Sequence, residues 1–425
     1  MPEDDRRPRR RRRKKWSAKR WRFELTRAGI LLGMILLIVL LVKGCQAVLN
    51  RPVKEDPPAD TVETLPREQT QEQVTDAPPE PEEKAISLIM VGDILLHTPL
   101  QDSGLQPDGS YNYDHFFTHT KDLISQADLA LVNQEVILGG TELGLSGYPA
   151  FNGAYEVGDA LVKAGFDVIL HATNHAVDKG ERGILNCLHF WQTSYPDIAV
   201  LGIHDSQESQ DEIYIYEQEG VKIAILNYTY GTNGIAVPQS YEVDLLEEDR
   251  VISDLDWAEE LADFTIVVPH WGTEYTHEVS ASQERWTQIF LAHGADLVIG
   301  AHPHVIQPVE WVEDDAGHKM LVYYSLGNFI NFTSDSGDGI RQRAVGAMAT
   351  VTLSVENGEV TISDYGVIPL VAHMVEGTGN PTVYPLSEYT EELLAENAMT
   401  QKDPGFTLEY CKQLCRDVFG ELYQE

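Results

Sequence analysis

At 425 residues with 43% hydrophobic content, the chain can bury one large core or two average ones, which excludes a wholly disordered protein. Four cysteines are too few for a disulfide framework at this size. The net charge of −36 is divided: 13 Lys/Arg against 4 Asp/Glu precede Ala28, leaving 18 basic against 63 acidic residues beyond it. An acidic remainder of that kind repels a phosphate backbone and excludes nucleic acid as a partner of the main domain.

Residues 1–27 read as a basic cytoplasmic tail running straight into AGILLGMILLIVLLV, 15 uncharged residues between Arg27 and Lys43. Extended to residue 49, with Lys43 reaching the interface, this becomes a single transmembrane signal anchor over 28–49, oriented by the positive-inside rule. Two alternatives stay open: cleavage as a secretory signal, and lipidation at Cys45. All three place the main domain outside the cytoplasm. Residues 50–84 hold seven prolines, ten acids and no aromatic residue, and read as a disordered, self-repelling tether.

The main domain, 85–375, opens with a short apolar run, Ala85 to Val91. Alternating patterns follow. Strands are expected at 129–132, 167–170, 221–227, 264–268 and 296–299. Helices are expected at 155–164, 179–193, 245–261 and 281–293, the last with Ser280 and Gln283 in capping-box spacing. Beyond Val305 the pattern turns to strands at 306–312, 320–324, 347–355 and 360–367. This order predicts a mixed α/β sandwich. Residues 376–425 read as a C-terminal helical extension, with Cys411 and Cys415 on one helix face, as thiols or a local bridge.

Polar residues collect after strands, where αβ folds gather their chemistry. Strand ends carry Gly92-Asp93, Asn133-Gln134-Glu135, His171 to His175, His270-Trp271-Gly272 and His302-Pro303-His304. Carboxylate, imidazole and amide ligands suit zinc, manganese or iron. Two such ions about 3.5–4 Å apart activate a water and polarise a phosphoryl or carbonyl oxygen. Alone, Asp93 reads better as a turn cap, and Asn174-His175 reads equally as an ordinary loop pair. His302 and His304, two apart, point the same way if their backbone is extended.

Six motifs in order, Val91 to His97, Asn133 to Glu135, Asn174 to Gly180, His270 to Tyr275, Gly300 to His304 and Tyr324 to Phe329, resemble the CapA family of poly-γ-glutamate capsule synthesis proteins. That family is similar to calcineurin-like metallophosphoesterases, which implies a four-layered αββα sandwich binding two divalent transition metals (Mn, Zn or Fe). The resemblance implies Asp93, Glu135, Asn174, His270, His302 and His304 as metal ligands and His175 as general acid. It leaves Tyr275 and Asn328 on the substrate side. His97 stands four after Asp93, where the phosphoesterase motif has its histidine two after, and is set apart from the ligands. The implied role is synthesis, export or anchoring of poly-γ-glutamate or a related anionic polymer, as hydrolase or transferase. Competing readings are a metal-binding accessory subunit of a membrane synthase and a generic phosphodiesterase. For a polyanion, Lys179, Arg182, Arg285, Arg341 and Arg343 are the candidate local cations.

Overall fold

The computed structural model describes residues 84–424, apart from 334, 338, 357–358 and 376–380. The basic tail, the apolar stretch and the acidic linker lie outside the described residues, among which no helix is long and apolar enough to cross a membrane.

In chain order the strands are β1 Lys84–Ile94, β2 Leu129–Asn133, β3 Val168–Leu170, β4 Ala199–Leu201, β5 Tyr214–Gln218, β6 Val221–Thr229 and β7 Phe264–His270. They continue as β8 Leu297–Ile299, β9 Val309–Glu313, β10 Lys319–Tyr323, β11 Asn328–Ile330, β12 Val345–Glu356, β13 Glu359–His373 and β14 Thr382–Pro385. One sheet has the order β14-β13-β12-β1-β2-β3-β4, with β11 also on β1; the other has the order β5-β6-β7-β8-β10-β9. The longer helices are α1 Tyr155–Ala164, α2 Gly180–Ser194, α3 Glu248–Leu261, α4 Ala281–Ala292 and α5 Leu408–Phe419.

Strand alternation explains the layering. Along β6, Ile223 and Ile225 enter a core shared with β1, β2, α1 and α2. The intervening Ala224, Leu226 and Tyr228 pack with Val251 and Leu255 of α3 and Trp286 and Phe290 of α4. A period of two thus sends one face to the other sheet and one to helices. Each aliphatic side chain buried this way contributes about 1.5–3 kcal/mol. The triplets of β3 and β8 are buried throughout, as expected of short parallel strands covered on both faces.

Local signals set the helix ends. Ser280 and Gln283 form the capping box of α4, and α1 stops at Gly165, whose φ of 105° is left-handed. The helix expected from Leu245 begins at Glu248, because Leu245 and Leu246 are held by backbone bonds and bridges to Thr229. The strand expected from Ile306 begins at Val309, since Pro308 lacks a donor and Ile306 makes only an isolated bridge to Leu326. The segment after 375 supplies β14 to the sheet as well as helices. Helix α5 turns Cys411, Leu414, Cys415 and Phe419 into the large core, and both thiols are free and buried.

Strands β1, β2 and β3 run parallel, as do β6, β7, β8 and β10, so each set presents its carboxyl ends along one edge. At Gly92 a Cβ would collide with the carbonyl oxygen of Gly327. The absence of a side chain lets Asp93 N donate to that carbonyl (3.0 Å), which seats Asp93 beside the loop carrying Asn328.

Candidate metal centre

Asp93 is the hub of one half of the site. Asn133 Nδ2 donates to its Oδ1 (2.8 Å), the His302 backbone N–H lies 3.3 Å from both carboxylate oxygens, and His304 Nδ1 lies 3.0 Å from Oδ2. The other half joins His270 Nε2 to Asn174 Oδ1 at 3.0 Å. Glu135 sits between the halves, with Oε1 3.7 Å from His270 Nε2 and 3.7 Å from His304 Nε2. Ligand atoms of Glu135, His302 and His304 lie within 4.8 Å of one another. The His302 ring is 4.7 Å from that of His270.

The six residues expected as ligands are therefore brought together and buried. The backbone that does this is not the extended one expected: φ is 99° at His302 and 58° at His304. Both residues occupy the left-handed region, at a cost of about 1–3 kcal/mol each, which persists only where the surroundings enforce it. Gly300 permits the turn, since a Cβ there would strike Tyr324 O and Trp271 Nε1.

Glu135 is fully buried and neither carboxylate oxygen has a hydrogen-bond partner; His302 Nδ1 is also unpartnered. Buried acceptors left in this state are the pattern expected of side chains arranged around a cation, and the donor set suits a transition metal. Burial pushes the Glu135 carboxyl well above the usual carboxylate range. Burial, reinforced by neighbouring imidazoles, drives His270 and His302 well below the imidazole range. At His304 burial pulls the same way, but the Glu135 and Asp93 carboxylates win and lift it to about 9.

His175 stands beside this cluster with Nδ1 2.7 Å from Asp178 Oδ2, a carboxylate fixed in turn by the Phe151 backbone N–H (2.7 Å). The Phe151 ring meets the imidazole edge-on at 4.7 Å. Tyr275 borders the cluster, its ring 5.7 Å from that of His304, in a cleft of about 310 Å³ that also includes His97, Tyr148, Glu274 and Arg343. His97 thus lines the cleft outside the ligand cluster, its pKa lowered to about 4, chiefly by burial. Asn328 is not among the residues lining this cleft. It is buried, its Nδ2 donates to the carbonyls of His304 and Arg343, and its Oδ1 is 3.1 Å from His304 Nδ1, so it braces the histidine. The Gln134 amide turns back to Val136 O (2.8 Å).

Two residues at the site, Tyr230 and Asn233, were not singled out from sequence, and Asn133 was named in a strand-end motif without a role. Asn133 links Asp93 to His270, its Nδ2 3.3 Å from His270 Nδ1. Tyr230 lays its ring 4.6 Å from His302, and Asn233 Oδ1 accepts from Asn174 Nδ2 at 3.4 Å. Tyr230 and Asn233 follow β6, so the strand-end rule applied to that strand finds them.

Residues 87–333 match the family model described as bacterial capsule synthesis protein PGA_cap. Capsule biosynthesis protein CapA of Bacillus anthracis is 25% identical over 299 residues, 65% of this chain and 69% of that protein. PGA biosynthesis protein CapA of Bacillus subtilis (strain 168) is 30% identical over 167 residues, 39% of this chain and 42% of that protein. Among solved structures, the calcineurin-like phosphoesterase YfkN of Bacillus subtilis aligns with a TM-score of 0.40 and 13% identity, covering 78% of this chain and 99% of that one. The family match spans more than half of the chain and includes the Asp93, Glu135, Asn174, His270, His302 and His304 cluster: the chain belongs to the bacterial capsule synthesis protein family PGA_cap.

Proposed function

We propose that the chain is a metal-dependent hydrolase or transferase of capsule synthesis, acting on poly-γ-glutamate or a related anionic envelope polymer. In this reading the fold is a four-layered αββα sandwich held outside the cell by the 28–49 anchor and the acidic tether, beside membrane synthase subunits. Glu135 carries the reading: a fully buried carboxylate, both oxygens without a donor, placed between two sets of nitrogen and oxygen ligands.

Asp93 and His304 on one side, Asn174, His270 and His302 on the other, and Glu135 between them would hold two divalent ions, manganese, zinc or iron. When bound, such ions polarise a carbonyl or phosphoryl oxygen and activate water. The protein's own residues do the rest. Asn133 and Asn328 fix Asp93 and His304 in place. Asp178 holds His175 through Nδ1, leaving Nε2 to carry the proton that a departing amine or alkoxide takes up.

A second reading, a non-catalytic metal-binding subunit of the synthase, is favoured by the surplus of 63 acidic over 18 basic residues beyond Ala28, which steers a polyanion away. Metal content of the full-length protein, with and without His302→Ala, comes first. About two transition-metal ions per chain, reduced in the variant, together with metal-dependent release of fragments from γ-glutamyl polymer, support the enzyme. Metal without turnover supports the accessory subunit, and a chain that takes up no manganese, zinc or iron removes both.

A further inference from the structure

Of the five cations marked out in the sequence, only Arg343 lines the cleft beside the metal cluster. Arg285 pairs with Glu248, Arg341 with Asp403, and Lys179 donates to Ala150 O. Arg182 is exposed on α2. We propose that Arg343 reads the free carboxylates of the substrate and so positions a γ-linked unit against the cluster. This rests on, and narrows, the polymer reading above.

The guanidinium lies over the Tyr275 ring, 3.7 Å from its centroid, and the same ring is 5.7 Å from that of His304. One aromatic ring therefore separates a fixed positive charge from the cluster. Tyr275 is held for this task in left-handed backbone, φ 64°, by its N–H to Pro303 O (2.8 Å) and by Gln342 Nε2 to its carbonyl (3.0 Å). Asn328 donates to the carbonyls of both His304 and Arg343, so one buried amide sets the spacing of cluster and cation.

The donors of the guanidinium are unevenly engaged. Nη1 donates to Asp335 Oδ2 (2.8 Å) and Thr333 Oγ1 (3.2 Å). Among the described residues Nε is buried with no partner and Nη2 makes no hydrogen bond. Nη2 is therefore the donor left to a carboxylate oxygen, in a charge-assisted hydrogen bond. The Arg343 side chain is 15% exposed and Asp335 61% exposed, so solvent screens the pair in part and Asp335 can turn away when a ligand carboxylate arrives. Glu274 and Asp335 line the same cleft, so a polyanion is attracted at the guanidinium and repelled around it. In a γ-linked glutamate chain each unit carries an α-carboxylate a few bonds from its amide. Binding that carboxylate at Arg343 brings the amide carbonyl toward the cluster.

The test uses the full-length chain in detergent, loaded with manganese. Its ligands are a fluorescent γ-glutamate oligomer and the same oligomer with its α-carboxylates converted to primary amides. Arg343→Gln is expected to weaken oligomer binding about ten- to a hundredfold, the range of a charge-assisted hydrogen bond, while retaining its metal. Its binding of the amide analogue stays within about twofold of wild type. Arg343→Lys, which keeps the charge without the guanidinium, falls between. If the wild type binds the oligomer and Arg343→Gln weakens both ligands equally, or neither, the carboxylate assignment fails while the polymer reading stands. A wild type that binds neither ligand overturns the polymer reading and the assignment with it.

Discussion

Glu135→Gln is expected to stabilise the metal-stripped protein and abolish its response to metal. The His304 proton is engaged by Asp93 at 3.0 Å, so Glu135 is the second carboxylate of a buried cluster and has no donor of its own. Leaving such a group buried without a partner costs about 1–3 kcal/mol, and glutamine keeps the shape while removing the charge. At about 2.1 cal/mol/K of unfolding entropy per residue, a domain of this size shifts by about 1.4 °C in Tm per kcal/mol. A rise of about 1–4 °C is therefore expected for Glu135→Gln in chelator at pH 8. The wild type should gain about 2.7 kcal/mol in manganese at a hundredfold its Kd, whereas the variant gains little. Paired thermal melts, in chelator and in manganese, read both effects. A variant less stable than wild type in chelator, or one that gains as much from manganese, refutes the reasoning.

Gly92→Ala forces a Cβ onto the backbone carbonyl of Gly327, which cannot swing aside, and should lower stability in urea by about 1–3 kcal/mol or more. Asp296 is lifted to about 7, chiefly by burial. A raised carboxyl pKa favours the folded state below the ordinary carboxylate range, and that contribution is lost as pH rises through about 7. Asp296→Asn, which still accepts from the Thr265 N–H, should therefore exceed wild type in stability at pH 8 by on the order of 2 kcal/mol and show no gain at pH 4. Asp178→Asn should leave metal content unchanged and slow turnover of a metal-dependent substrate by about a hundredfold, since it removes the group that orients His175. Normal turnover in that variant would exclude His175 as the acid.

The candidate site was legible because strand ends are legible. Apolar runs such as Val168 to Leu170 and Leu297 to Ile299 end where polar residues begin, and a parallel sheet collects those ends on one edge. What the pattern could not convey was backbone handedness. His302 and His304 share a target despite positive φ, because Gly300, Asp93 and Asn328 fix the loop around them, and hydropathy carries no trace of that. Asn328 looked like a substrate contact because its motif sits at a strand end; only its three hydrogen bonds show it to be a brace. The short edge strands β4, β5 and β14 were missed for a related reason. With a neighbour on one side only, β4 and β5 have half-buried residues that give weaker alternation, and β14 is only four residues long.

Strand β1 has consequences for the order of assembly. It is the first element among the described residues, yet it lies between β2 and β12, with eight registered pairs to a strand more than 250 residues later. A chain delivered amino-terminus first, from a ribosome or through a membrane pore, must keep the apolar row Ile86, Leu88 and Met90 waiting until Val345–Glu356 emerges. Asp93 meets Asn133 early but waits for its remaining partners, from residues 302–304 and Gly327. The candidate metal centre thus completes only after residue 304, and a chain truncated before it would carry the earlier motifs without the centre they build.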